Sequence, residues 1–530
     1  MKKTFQKVLS CLLAVCLMAP VLALTAAALP QPPIVYVHGE SAIYATKEDG
    51  TRYAPREEFA DKLISEVVPE LAPEFARAVL TNDYTEWSAK ALEAIAPIYE
   101  PIAPHPDGTL PEDTDILWHW SPETLATSYN PKYNTYVFWW DLRRSPLDVA
   151  DDLNEYIQAV KAKNNADKVV LASCCAGTGE AAAYLAKYGT QDVSKVIFSC
   201  NSLHGFVFAD LSLSGNVTLS GSALYRYLQE YDLLGGLDDG ITSFLMATLK
   251  TLNREATADE IFDLVLKVYD KIGDCFIAPY IRQYMGISLG DVATVDEHFE
   301  DYLDYVFPTQ ELKTEYAPII AKAKEYHETV QKPLDDMLRE MNANGVPVYF
   351  VANYGEQAYP VGELSDYVSD QLQSVYMQSF GATTARVPET LSDSYIAKQT
   401  EKGLGKYISP DKQIDASTCM FPDQTWFVKN LRHFFENDAI LTVFDTIAHT
   451  DNIKVDTLES FPQYLNCVED FSAVEPAQAV NANDIDWAAL EPPQAEGKTE
   501  FFVGVIAFFA KIVAFFNRVI RFVRQMFGLA

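Results

Sequence analysis

The sequence is poor in basic side chains: 41 Lys and Arg stand against 74 Asp and Glu, and the formal net charge is −33. The first 28 and the last 30 residues hold no acidic side chain, so the chain between them carries 34 basic and 74 acidic side chains. A field of this sign repels nucleic acid and anionic surfaces. We therefore expect no nucleic-acid partner, and we attribute the acidity to solubility outside the cell.

Cysteine pairs at metal-binding spacing are also missing. Eight cysteines are present, and none of the six beyond the first 28 residues belongs to a CxxC pair. Those six are spread from position 174 to position 467, too widely for a small disulfide scaffold. The spacing therefore predicts neither a zinc-binding module nor a disulfide framework.

Long apolar runs are confined to the two ends. Lys2, Lys3 and Lys7 precede an apolar stretch from 8 to 24, which small residues follow at 25–28. This pattern is typical of a secretory signal peptide, 1–28, cleaved after Ala28; the alternative is a retained membrane anchor. The sequence therefore predicts export.

The last segment, 499–530, has a different composition. Lys511, Arg518, Arg521 and Gln525 fall on one side of a helix whose remaining surface is aromatic and aliphatic. Such a helix suits a membrane interface. A membrane span and docking onto the protein's own surface are the alternatives, although the 16 residues 501–516, apolar except for Lys511, fall short of the roughly 20 that a span requires. With a linker at 474–498, we expect a protein at the outer face of the cell membrane.

The most informative segment lies at 168–189, where a short apolar run leads into a turn of small residues and then a helical pattern. The turn reads Ser173-Cys174-Cys175-Ala176-Gly177. Small residues around a central nucleophile indicate the nucleophile elbow of an α/β-hydrolase, with Cys175 where serine usually stands. A thiolate is a competent nucleophile beside an imidazole. The alternatives are cysteines that merely fill a turn, an inactivated elbow, and a vicinal disulfide.

The surrounding pattern sets the fold class. Strands are predicted at 33–39, 136–140 and 193–199, with a helix from Pro146 to about Lys163. This alternation predicts an α/β fold, a mostly parallel sheet with helices on both faces and the elbow at its carboxyl edge. At 530 residues the chain is too long for one compact core.

Long helical patterns replace the strands from 206 to 341, where Thr257 and Glu260 form a capping box. A new core strand is predicted at 345–352. We interpret 206–341 as a helical lid inserted between two parts of the core, 29–205 and 342–473; an independent helical domain is the alternative.

Several blocks together resemble bacterial α/β-hydrolases related to lecithin:cholesterol acyltransferase. Their order and spacing carry the resemblance, which covers most of 32–435 outside the lid. The blocks are PIVYVHG at 33–39, TYVFWWDLRRSPLDVADDLNEYI at 135–157, the elbow, GVPVYFVANYG at 345–355, SDQLQSVYMQSFGAT at 369–383 and DASTCMFPDQTWFVKNLRH at 415–433.

The resemblance implies the remaining members of a catalytic triad. In this family the acid follows a late strand in a Ser-Asp-Gly-like turn, which puts it at Asp370, with Asp366 as the runner-up. Gln371 stands where the family favours glycine. The histidine comes last, at His433, with His449 as the fallback. The order of nucleophile, acid and histidine agrees with the α/β-hydrolase order.

The expected chemistry is acyl transfer. Cys175 would attack an ester, with His433 as base and Asp370 as its partner, while the amide of Ala176 and one near Gly39 or Glu40 hold the oxyanion. The sequence thus predicts an exported hydrolase or acyltransferase for acyl esters, lipids among them, that needs no cofactor or metal. The alternative is a catalytically inactive hydrolase-fold protein that binds a lipid or a protein partner.

Overall fold

A large twisted sheet organises the chain. The computed structural model describes residues 31–39, 43–54, 71, 74–75, 77–78, 81–220, 223, 226–227, 270–285, 295–433 and 437–478. The predicted signal peptide, the capping box at 257–260, Glu40 and the C-terminal segment 499–530 lie outside these residues.

Nine strands form the main sheet, in the order β14-β13-β12-β9-β8-β7-β1-β6-β5. Adjacent strands from β6 to β13 run parallel, and an antiparallel strand closes each edge. Its strands are β1 (Ile34–Val37), β5 (Tyr129–Asn130), β6 (Thr135–Phe138), β7 (Val169–Cys174), β8 (Val193–Ser199), β9 (Val348–Tyr354), β12 (Thr425–Lys429), β13 (Tyr464–Cys467) and β14 (Val474–Pro476).

Helices cover both faces of this sheet. The helices of the described residues are α1 (Thr85–Tyr99), α2 (Pro146–Asn164), α3 (Gly177–Tyr188), α4 (Val207–Leu213), α5 (Phe299–Val306), α6 (Gln310–Glu315), α7 (Ala317–Tyr326), α8 (Leu334–Ala343), α9 (Val375–Gln378), α10 (Asp393–Glu401) and α11 (Asp438–His449). An irregular helix also runs through Gly273–Ile277, Ala278–Tyr280 and Ile281–Met285.

Side-chain alternation along the strands builds two separate cores. In β7, Val169 and Leu171 belong to one apolar cluster, and Val170 and Ala172 belong to another. Successive side chains of a strand point to opposite faces of its sheet, so the two clusters lie on opposite faces. The first cluster includes α2 and α3, and the second includes α11. The prediction of a mostly parallel sheet with helices on both faces is therefore confirmed.

Two insertions interrupt the sheet. Between β8 and β9, the described residues are mostly helical, and α4, α5, α6 and α7 contribute to an apolar cluster of their own. Between β1 and β6 lies a small antiparallel sheet that the sequence did not predict, and α1, which lies in the chain between the second and third strands of this sheet, contacts the irregular helix at 273–277. The strands of the small sheet are β2 (Ile43–Thr46), β3 (Arg52–Tyr53) and β4 (Thr114–Ile116).

Most of the predicted core elements are present, with small changes in their bounds. The strand predicted at 193–199 is β8, and the one predicted at 345–352 is β9, which begins at Val348. Val474–Pro476, the first residues of the predicted linker, instead pair antiparallel with β13, so a linker can begin only after them. A two-stranded sheet, β10 (Thr383–Thr384) and β11 (Ile414–Asp415), lies apart from the main sheet.

One buried carboxyl group in α3 makes the stability of the fold depend on pH. Glu180 is 1% exposed, and its Oε2 has no hydrogen-bond partner among the described residues. Burial raises the pKa of this carboxyl well above its usual range, despite the opposing charge of Arg144. An unfolded glutamate loses its proton at a pKa of about 4.3. The folded protein therefore keeps the Glu180 carboxyl protonated at pH values at which the unfolded chain has already lost this proton.

We expect Glu180→Gln to become more stable than the wild type as the pH rises. A carboxyl whose pKa is higher in the folded protein makes its full contribution to the free energy of unfolding at pH values below its unfolded pKa. This contribution is lost as the pH rises through the folded pKa, at up to about 1.4 kcal/mol per pH unit. Glutamine keeps the shape and does not titrate. Urea unfolding of both proteins at pH 5 and pH 8 measures the difference, and a gap that does not widen with pH contradicts the prediction.

Candidate active site

The turn after β7 holds Cys175 in a strained backbone conformation. Cys175 lies between β7 and α3 with φ +51°, in the left-handed region that residues other than glycine rarely adopt. Its backbone N–H donates to the carbonyl of Ser199 (3.3 Å), at the end of the neighbouring strand β8. Its carbonyl accepts from the amide of Thr178 and from the hydroxyl of Ser202. A sharp strand-to-helix turn of this kind holds a side chain at the edge of the sheet.

Gly177 allows this turn to lie close to β1. A Cβ atom built on Gly177 would lie 2.3 Å from the carbonyl oxygen of His38 and 2.9 Å from that of Val37. Both oxygens belong to the backbone at the end of a central strand, so they cannot move aside as a flexible side chain can. The small residue that the sequence pattern requires at this position is therefore explained by close backbone approach.

We expect Gly177→Ala to lower the free energy of unfolding by about 3 kcal/mol or more, because the new methyl group overpacks against fixed backbone. Gly403→Ala is the matched control: its φ is +75°, but among the described residues beyond its two chain neighbours no atom lies within 4 Å of the added Cβ. That control should cost only about 1 to 2 kcal/mol of backbone strain. Equal urea midpoints for the two variants would contradict this explanation.

The segment predicted to provide an oxyanion amide lies beside the elbow. Val37 is in register with Ser173, so His38 and Gly39 follow β1 next to the point where the elbow follows β7. Gly39 is buried, and Glu40 lies outside the described residues. Ala176 is the N-cap residue of α3. Amides at a helix N-terminus carry partial positive charge, which favours a developing oxyanion.

Asp370 and His433 form a buried pair at the same edge of the sheet. His433 Nδ1 lies 2.6 Å from Asp370 Oδ2, and the His433 backbone N–H donates to the Asp370 carbonyl at 3.1 Å. The two residues are 2% and 0% exposed. Asp370 follows β9 and His433 follows β12, and these strands are neighbours in the sheet. Phe206 packs its ring edge-on against the imidazole, with centroids 5.3 Å apart.

The Asp370 carboxylate is held in a tight turn. Its Oδ1 accepts hydrogen bonds from the amides of Leu372 (3.0 Å) and Gln373 (2.7 Å). Gln371, within the turn, has φ +88°. Glycine adopts this conformation at little cost, which gives a physical reason for the glycine that the resemblance favours here. Glutamine is accommodated in the same turn.

The two fallback residues have other contacts. Asp366 accepts hydrogen bonds from Arg226 and Arg386, each at 2.7 Å, and so serves as a buried structural anion. His449 binds Asp445 at 2.8 Å and the Pro32 carbonyl at 3.1 Å. Pro32 precedes β1, so His449 lies at the amino edge of the sheet, away from the strand ends that carry Asp370 and His433.

Sequence reasoning missed Cys200, which follows β8, the strand between β7 and β9 in the sheet. Its N–H donates to Val351 in β9 at 3.1 Å, and its φ is +45°. One ligand-type atom of each of Cys200, Asp370 and His433 lies within 4.8 Å of the other two. Burial, followed by the negative charge of Asp370, raises the pKa of the Cys200 thiol well above its usual range. A single cysteine at the end of a predicted strand gave no signal of this proximity.

None of the six cysteines within the described residues forms a disulfide. Cys174 and Cys175 are therefore separate thiols, and the vicinal disulfide considered from the sequence is absent. The sulfur of Cys174 lies 2.8 Å from the hydroxyl of Tyr36 in the adjacent strand β1. Cys175 thus has a neighbour of the same chemistry in a different environment, which offers a matched control for experiments on its reactivity.

Taken together, the carboxyl ends of five adjacent strands, β1, β7, β8, β9 and β12, present the candidate residues. An imidazole held by a buried carboxylate can act as a general base, and a nucleophile in a sharp turn beside a helix N-terminus can take part in acyl transfer. No protein-family model matches the sequence, and no curated protein is significantly similar to it. Among the described residues, no helix has the length and apolar character that a membrane span requires.

Proposed function

We propose that this protein is an exported α/β-hydrolase, similar to those related to lecithin:cholesterol acyltransferase, that cleaves or transfers acyl groups of esters through Cys175, His433 and Asp370. The buried Asp370–His433 pair carries the proposal, because it lies at the sheet edge that also bears the Cys175 elbow. The strand positions support it as well: the nucleophile, the acid and the histidine follow β7, β9 and β12, in the chain order of this fold.

The proposed reaction is a two-step acyl transfer. His433 takes the Cys175 thiol proton while the sulfur attacks the ester carbonyl, and the amides of Ala176 and Gly39 or Glu40 hold the oxyanion. One such donor contributes about 3 to 4 kcal/mol in enzymes where it has been measured. The C–O bond then breaks, and the leaving alcohol takes the proton from His433. Water, deprotonated by His433, attacks the thioester, the C–S bond breaks, and the thiolate recovers its proton.

The substrates are acyl esters, with lipids as the candidate class, and no cofactor or metal takes part. We propose that the signal peptide directs the protein out of the cell and that the helix at 499–530 holds it at the outer face of the membrane. The linker then lets an acidic body act near the bilayer.

Trapping the acyl-enzyme tests the chemistry directly. The purified protein is mixed with p-nitrophenyl esters of short and long acyl chains, quenched with acid, digested and examined by mass spectrometry. The expected result is the mass of one acyl group on the peptide that contains Cys175, with release of p-nitrophenol. The proposal is contradicted if no cysteine carries an acyl group, or if Cys174 and Cys175 carry it equally.

One observation favours the second candidate function, an inactive hydrolase-fold protein that binds a lipid or protein partner. Cys175 is only 6% exposed and belongs to an apolar cluster that includes Cys174, Val170 and Ile197. Free cysteine packs well in such places. Iodoacetamide separates the two functions: rapid, pH-dependent alkylation of Cys175 favours the enzyme, and inertness in reducing buffer favours the binding protein.

A further inference from the structure

Cys200, Asp370 and His433 bring a thiol, a carboxylate and an imidazole to one buried point. Each offers one ligand-type atom within 4.8 Å of the other two, and all three residues are buried. They come from three strands, β8, β9 and β12, that are adjacent in the sheet. Cys200 has no place in the acyl-transfer mechanism, so its position beside the acid and the histidine requires a separate explanation.

The donor set has the chemistry of a zinc site. Zinc binds Cys sulfur at about 2.3 Å and His nitrogen or carboxylate oxygen at about 2.0 to 2.2 Å, in tetrahedral geometry. Tetrahedral bonds of these lengths put the donor atoms about 3.3 to 3.8 Å apart. The Asp370–His433 pair is closer than this, at 2.6 Å, and the three-atom set extends to 4.8 Å at most. Adjustments of about 1 Å therefore suffice to admit the ion.

Contacts around the three residues hold the donors in place. Oδ1 of Asp370 accepts hydrogen bonds from two backbone amides, and Oδ2 faces the imidazole of His433. His433 is fixed by its backbone bond to the Asp370 carbonyl and by the ring of Phe206. The N–H of Cys200 is bonded to Val351. Such outer contacts orient ligands and are as much a part of known metal sites as the ligands themselves.

We propose that Cys200, Asp370 and His433 bind one Zn²⁺ ion and that the bound ion switches the site off. Binding releases the Cys200 thiol proton, and the ion takes the place of the proton between His433 Nδ1 and Asp370, so that the single proton of the neutral imidazole then resides on Nε2. The binding claim is independent of the function proposed above. The inhibition claim rests on it, because an imidazole bound to zinc cannot accept a proton from Cys175.

Cobalt reports the binding step without any measurement of activity. The full-length protein is incubated under reducing conditions with Co²⁺, which replaces Zn²⁺ in tetrahedral sites and shows a thiolate-to-cobalt charge-transfer band in the near ultraviolet. We expect the band to reach a maximum at one Co²⁺ per chain and to disappear when Zn²⁺ is added. Absence of the band in the wild type would overturn the proposal.

Variants identify the sulfur ligand. Cys200→Ser should lose the charge-transfer band, whereas Cys467→Ser, which changes another buried cysteine in β13, should keep it. Cys175→Ala should also keep the band, so binding is tested even if ester cleavage fails. His433→Gln should weaken Co²⁺ binding by about tenfold or more, and this second variant keeps the test valid if Cys200→Ser does not fold. A band that survives in Cys200→Ser, or vanishes in Cys175→Ala, overturns the assignment.

The inhibition is tested separately with wild type that cleaves p-nitrophenyl esters. One equivalent of Zn²⁺ should abolish cleavage, and a chelator should restore it. Full activity with a saturated site would overturn the switch while leaving the binding site in place. A protein that shows the band but never cleaves esters would contradict the proposed function and not the binding site.

Discussion

Cys175→Ala should lower kcat/KM for p-nitrophenyl ester cleavage by about 10⁴-fold or more, because it removes the sulfur that we propose forms the bond to the acyl group. Alanine is smaller than cysteine and tolerates the neighbouring turn, so the far-ultraviolet circular dichroism and the urea midpoint should change little. Steady-state rates of p-nitrophenol release, corrected for uncatalysed hydrolysis, measure the effect. Equal slow release by the wild type and Cys175→Ala would mean that the elbow performs no catalysis.

Cys174→Ala is the matched control for this experiment. It removes a thiol one residue away whose sulfur contacts the Tyr36 hydroxyl. We expect kcat/KM to remain within a few-fold of the wild type and the free energy of unfolding to fall by about 1 kcal/mol, the usual contribution of one hydrogen bond. If Cys174→Ala lost as much activity as Cys175→Ala, the loss would come from altered packing of the turn and not from removal of a nucleophile.

Asp370→Asn should lower kcat by about 10⁴-fold with KM almost unchanged. The amide keeps the shape of the carboxylate, but it no longer stabilises the imidazolium and can hold His433 in the wrong tautomer. In the proposed mechanism Asp370 acts through His433 as a positioning residue, so the division of the effect between kcat and KM is the informative measurement. An equal rise in KM, or a kcat near that of the wild type, would argue against this role.

Asp366→Asn provides the comparison for Asp370→Asn, four residues earlier in the chain. The Asp366 carboxylate is buried and binds Arg226, which is 18% exposed, and Arg386, which is 58% exposed and therefore screened by solvent, so its replacement should destabilise the protein by about 1 to 3 kcal/mol, the range for a lost hydrogen bond to a charged group. The protein that remains folded should keep a kcat near that of the wild type. A larger loss of kcat in Asp366→Asn than in Asp370→Asn would reverse the assignment of the acid.

The sequence could predict the parts of the fold that local pattern determines. The apolar runs that became β1, β7 and β8 are short, β-branched and bounded by turn residues, and Pro146 begins α2 as the first helical residue. The choice of Asp370 and His433 came from a family resemblance, and the structure gives them a shared hydrogen bond. Their catalytic roles stay predictions until the kinetic experiments are done.

The rest depended on contacts between distant parts of the chain. No local pattern distinguishes Asp370 from Asp366, because both follow serine; their partners, a histidine 63 residues away for one and two arginines for the other, separate them. Cys200 was overlooked for the same reason. The small sheet at 43–116 was missed because its strands are two to four residues long, too short for alternation to be recognised.

The apolar cluster inside the 206–341 insertion has an evolutionary consequence. Phe299, Tyr302 and Phe307 pack mainly with other members of the insertion, so many of its substitutions would leave the strands that carry Cys175, Asp370 and His433 undisturbed. Such a segment can diverge or lengthen while the main sheet and the residues that follow its strands are retained. Under the proposed function, substrate preference would then change faster than reaction type.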